Sequence, residues 1–164
     1  MHPAAWLVPR EVADRAGPWD EGLSLNDDGE YFARVALAST GLAYAGSPAA
    51  ASYYRSSLPG SLSRRRSVRA LASLERSVEL ISTHLLARED SPRVRAALAD
   101  YWQRLCYDLY PEARKGSRAA AKRAAQYGGS RLPPPLGRRA ALVARILGWR
   151  LTYRLVRAAR HLHA

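Results

Sequence analysis

The chain has 164 residues, 48% of them hydrophobic, enough to bury a sizeable core. Its single cysteine, Cys106, excludes an internal disulfide and any cysteine-built zinc cluster, and no apolar run approaches the ~20 residues of a membrane span. The formal net charge of +12 is uneven: residues 1–60 carry four arginines against seven carboxylates, whereas residues 61–164 carry twenty-two basic side chains against seven.

A basic back of this kind suits nucleic acid, anionic lipid or a phosphorylated substrate; alternatively it forms solvated helix faces. No zinc-finger, RNA-binding aromatic or basic-zipper pattern accompanies the charge, so nucleic acid is not an expected partner. Met1 to Trp6 lacks a basic stretch followed by an apolar one, which makes the cytoplasm the expected compartment.

In chain order, Trp6-Leu7-Val8-Pro9 is a short apolar run with a strand-like pattern. Arg10 to Ala16 suits a short helix stopped by Gly17-Pro18, and a turn follows over Gly17 to Gly22. Asn26-Asp27-Asp28-Gly29-Glu30 then opens a helix from about Asp28 to Ser39, with Tyr31, Val35 and Ala38 on one face and Gly41 at its end. Three carboxylates in four positions repel one another. Such a cluster suits a metal, a sugar hydroxyl or a proton in transit, or it is an acidic helix N-terminus favoured by the helix dipole. Leu42 to Ala45 and Ala51 to Arg55 read as two short strands around Gly46-Ser47-Pro48.

The back reads as helical. From Ser67 to about Glu89, Leu71, Leu74, Val78, Ile81 and Leu85 form an apolar stripe. Ser91-Pro92 is an N-cap and first-position pair for a helix bearing Val94, Leu98, Trp102, Leu105 and Leu109. Cys106 lies in that apolar, aromatic setting and reads as a buried structural thiol. After Pro111, an Ala-rich helix runs from Glu112 to about Gln126, closed by Gly128-Gly129, and Pro133 to Pro135 makes a stiff break. The last segment, Leu136 to His163, sets Leu147, Leu151, Leu155, Ala158 and Leu162 on one side among seven arginines. It fits an interfacial helix on anionic lipid, or a helix packed on protein with arginine stems covering apolar surface. His84, His161 and His163 read as plain surface or tail histidines.

Four elements occur in the order found in family-2 glycosyltransferases. They are Trp6-Leu7-Val8-Pro9-Arg10, Gly17-Pro18-Trp19-Asp20-Glu21, Asp27-Asp28-Gly29-Glu30-Tyr31-Phe32-Ala33-Arg34, and Tyr53-Tyr54-Arg55 followed by Ser61-Leu62-Ser63. Residues 4–63 therefore resemble the C-terminal half of that family's GT-A catalytic domain. The resemblance implies an inverting sugar transfer from a nucleotide-sugar to an acceptor hydroxyl of a glycan or lipid-linked acceptor, with Asp28 as general base. On this resemblance Asp27 and Glu30 lie on the acceptor side; Trp19 reads either as an apolar floor for a sugar ring or as plain core, and Arg55 with Ser61 and Ser63 either approaches the donor phosphates or forms a solvated strand end. On a helix Arg34 lies about 240° round from Asp28, at ~3.6 residues per turn, so it reads as a structural partner of Glu30 at i−4.

The family's Asp-x-Asp metal motif and a Gly-rich phosphate loop are missing. The sequence thus reads as the acceptor-side part of a transferase, inactive without its donor-binding half, with a divalent metal (Mg or Mn) expected only in the complete enzyme. The expected fold class is α+β, mostly α. Residues 1–63 form a partial GT-A segment of short strands and two short helices, 64–129 a helical extension, and 130–164 a Pro-rich break and basic helix, giving three to four helices in the C-terminal region. The alternative is a non-enzymatic basic helical adaptor that meets an anionic membrane surface, the inner face, through 136–163, or an acidic partner.

Overall fold

The computed structural model describes residues 3–47, 51, 53 and 66–162, with side chains through 159. The described residues are mostly helical, in seven α-helices, with no strand among them. None of these helices is long and apolar enough to cross a membrane. The chain divides into two compact units, Met1–Leu98 and Ala99–Ala164.

In the first unit a 3-10 turn (Pro3–Ala5) leads into α1 (Arg10–Ala16), which starts after Pro9. Helix α2 (Asp27–Ala38) packs on α1, and α3 (Val68–Arg88) packs on α2. Ala16, Phe32 and Val35 form a small buried core, with Trp6, Val8, Val12, Tyr31 and Ala38 against it. The Trp6 ring stacks on Phe32 at 4.5 Å between centroids.

The expected strands are not found. Residues 6–9 are irregular, yet Trp6 and Val8 pack inward while Leu7 is 99% exposed. The apolar run thus meets the helices through alternate side chains, and no strand lies beside it among the described residues. Leu42 to Ala45 is likewise irregular, with Leu42 and Tyr44 exposed, so nothing rewards pairing there. Of the second expected strand only Ala51 and Tyr53 are described, and neither is in a strand; Ser52, Tyr54 and Arg55 lie outside the described residues.

The cap foreseen at Ser91 forms, and Ser67, read only as the start of its helix, caps as well. The Ser67 hydroxyl accepts from the Ala70 N–H at 3.2 Å, and the Ser91 hydroxyl accepts from Val94 at 3.3 Å ahead of α4 (Pro92–Leu109). The division between the two units falls inside α4.

In the second unit Leu105, Cys106 and Leu109 are buried, together with Ser117, Ala120 and Ala124 of α5 (Arg114–Gln126). The Ser117 hydroxyl donates to the Cys106 carbonyl at 2.8 Å and ties α5 to α4. The segment expected as one C-terminal helix is two, α6 (Arg138–Leu147) and α7 (Trp149–Leu162), packed on each other. They are broken at Gly148, whose φ of 76° and ψ of 150° suit glycine alone. The back thus holds five helices rather than three or four. Trp149 meets the edges of Tyr107 and Tyr110 at 4.9 and 5.0 Å, and the Tyr110 hydroxyl donates to the Arg150 carbonyl at 3.2 Å. These contacts fix the start of α7 against the end of α4.

Candidate active site

The acidic cluster is carried on a loop that α3 holds in place. Asp20 accepts from the Gly22 N–H through Oδ1 at 2.9 Å and turns the chain after Trp19. Farther along, the Ser73 hydroxyl accepts from the N–H groups of Ser24 and Leu25 at 2.8 and 3.0 Å and donates to the Leu25 carbonyl. Asn26 adopts the left-handed conformation with φ of 59°, and its amide donates to the Ser77 hydroxyl at 2.8 Å. Its side chain lies so close over Gly29 that a Cβ there would run into it. The glycine between Asp28 and Glu30 is thereby explained: it makes room for the residue that enters the helix.

Helix α2 then places its carboxylates in two environments. Glu30 is only 2% exposed. Its two oxygens accept from the Arg34 guanidinium at 2.8 and 2.9 Å, a bidentate pair one helical turn apart. His84 Nε2 of α3 lies 3.0 Å from the same carboxylate. Arg34 also donates to the carbonyls of Ala16 and Pro18, which closes the C-terminus of α1, and its guanidinium sits 5.4 Å from the Tyr31 ring. One guanidinium thus joins α2 to the end of α1, while the carboxylate joins α2 to α3.

Asp27 and Asp28 are half-buried at the first turn of α2, and among the described residues neither forms an ion pair. Asp28 accepts from the Gly29 N–H at 2.8 Å through Oδ1. Trp19, 39% exposed, stacks on Tyr31 at 4.3 Å. Tyr31 follows Asp27 by four residues and Asp28 by three, so the exposed indole lies one turn along from the two carboxylates. Asp27 and Asp28 thus lie at the start of α2, and Trp19 packs on Tyr31 of the same helix. Glu30 shares the helix but faces inward, onto Arg34 and His84. Arg55, Ser61 and Ser63 lie outside the described residues.

Three residues that matter here were not singled out from the sequence for these roles. His84 reads there as a plain surface histidine, yet it meets Glu30. Ser73 and Ser77 sit beside the apolar stripe of α3, where their spacing of four is the available signal. Among the described residues no three histidine, cysteine or carboxylate side chains come together as a metal site. Comparison with protein-family models, with curated proteins and with solved structures finds no match.

Burial pushes the Glu30 carboxyl up, but the hydrogen bonds from Arg34 and His84 outweigh it and hold the group below the ordinary 4.5. A carboxylate depressed in the folded state stabilises the fold above its unfolded value and loses that contribution as pH falls through the folded value. The Glu30 carboxyl carbon is expected to titrate below 4.5 by NMR. Glu30→Gln is expected to lower stability by about 3 kcal/mol at neutral pH and to flatten the acid limb of the stability profile. A titration at or above 4.5 would contradict the arrangement.

Proposed function

We propose that the first unit is the acceptor side of an inverting glycosyltransferase of the family-2 type, with Asp28 as the general base. The observation that supports it is the division of labour on α2. Glu30 and Arg34 pair with each other, whereas Asp27 and Asp28, one turn earlier, remain outside any ion pair among the described residues.

In the proposed step the acceptor hydroxyl gives its proton to the Asp28 carboxylate as its oxygen bonds to the anomeric carbon. The bond from that carbon to the nucleoside diphosphate breaks with inversion, and the diphosphate leaves with the electron pair. Asp27 orients acceptor hydroxyls, and the exposed face of Trp19 receives the apolar face of a sugar ring. Glu30, given an acceptor-binding role by the resemblance, acts here by fixing α2. The nucleotide and its metal belong to a donor-binding half supplied apart from the residues described. The reading carries a cytoplasmic location, on the side where the nucleotide-sugar is bound.

Asp28→Asn, made in this chain joined to its donor-binding half, is expected to lower the transfer rate by roughly 10²–10⁴-fold, the usual contribution of a general base. Substrate binding and the folding transition should change little. Undiminished turnover would remove the assignment.

A second reading, a basic helical adaptor on anionic membrane, is favoured by one observation. Helices α6 and α7 expose Leu142, Val143, Ile146, Leu147, Leu151 and Leu155 among arginines. Ile146, 86% exposed, is the natural probe. On this reading Ile146→Glu sharply reduces co-sedimentation with anionic vesicles; equal sedimentation of both forms would reject it.

A further inference from the structure

The second unit contains an open cavity of about 270 Å³ lined by Tyr110, Arg114, Arg118, Arg150, Leu151 and Arg154. Four arginines and no carboxylate are thus among the residues that line this concavity; the Arg150 guanidinium also lies 4.8 Å from the centroid of the Trp149 ring. The two carboxylates nearest in sequence are engaged elsewhere: Glu112 pairs with Arg157, and Asp108 lies 3.3 Å from Arg104.

The arrangement opposes local preference. Arg114 and Arg118 stand four residues apart on α5, as do Arg150 and Arg154 on α7, and like charges at that spacing weaken a helix. Solvated arginines on convex faces spread out and are screened within about 8 Å at physiological salt. Here four of them border a single concavity, and the helices that carry them are anchored. Ser117, next to Arg118, is tied to the Cys106 carbonyl, and the Arg150 carbonyl receives the Tyr110 hydroxyl. The four arginines also belong to the first two turns of α5 and α7, the ends at which the helix dipole favours an anion.

We infer that this cavity binds a phosphate-bearing group of at least two negative charges, such as a diphosphate. Guanidinium forks match tetrahedral phosphate oxygens in pairs, and several forks around one concavity select a multiply charged oxyanion over a single carboxylate. A cavity of this size falls just under the roughly 300–1,000 Å³ of drug-sized ligand sites, which suits a small head group. The group belongs to a soluble phosphate compound or to a lipid head group. The inference stands on the second unit alone and is independent of the role proposed for Asp28.

The test is calorimetric titration of the full chain with inorganic pyrophosphate, alongside sedimentation with phosphatidylcholine vesicles with and without phosphatidic acid. Arg118→Gln/Arg154→Gln is compared with Arg138→Gln/Arg139→Gln, which removes the same charge from outside the cavity. Saturable 1:1 pyrophosphate binding is expected, weakened at least about tenfold by the cavity pair, since each charge-assisted hydrogen bond is worth that much, and left within about twofold by the control pair. Binding only to phosphatidic acid vesicles, with the same selective loss, supports the site and assigns it to a lipid head group. Absence of binding in both assays, or equal weakening by the two pairs, overturns the inference.

Discussion

The buried pair of Glu30 and Arg34 is the constraint on which the first unit depends. Removing a carboxylate from water is expensive unless its oxygens are fully engaged. Here both oxygens meet Arg34, and one also meets His84. The guanidinium in turn serves the carbonyls that end α1. Two apolar residues of similar size could fill the same space, but they would not fix the angle at which three helices meet. The pair specifies geometry, and the first turn of α2 takes its position from that geometry.

A consequence is the contrast among neighbouring acids. A helix turns by about 100° per residue, so carboxylates at positions 27, 28 and 30 face different surroundings. The one directed inward is neutralised. The other two remain at the loop that Ser73 and Ser77 hold, beside an indole with an exposed face. Rigid support beneath half-buried carboxylates is what the role proposed for Asp28 would require.

Legibility in the sequence followed the range of the interaction. The Glu30–Arg34 pair could be read from its spacing, and so could the cap at Ser91, because each lies within one turn. His84 stands 54 residues from Glu30, and no local pattern joins them. The stripe on α3 was visible in part: Leu71, Val78 and Ile81 are buried, but so are Ser73 and Ser77, whose hydroxyls serve the loop. The apolar run Trp6-Leu7-Val8 suggested a strand, but two of its side chains pack against helices instead. Gly148 divides an amphipathic run whose arginine and leucine spacing continues across it, so periodicity alone could not show the break. The two kinds of arginine were equally hidden. Composition counts Arg34 and Arg154 alike, although one closes a helix end and the other lines a cavity.

The most direct test of the central constraint is a double-mutant cycle on unfolding free energy, with Glu30→Gln, Arg34→Met and both together. A buried, geometry-setting pair predicts a coupling above about 2 kcal/mol. A coupling under about 0.5 kcal/mol, as in an ordinary exposed i,i+4 pair, would contradict it.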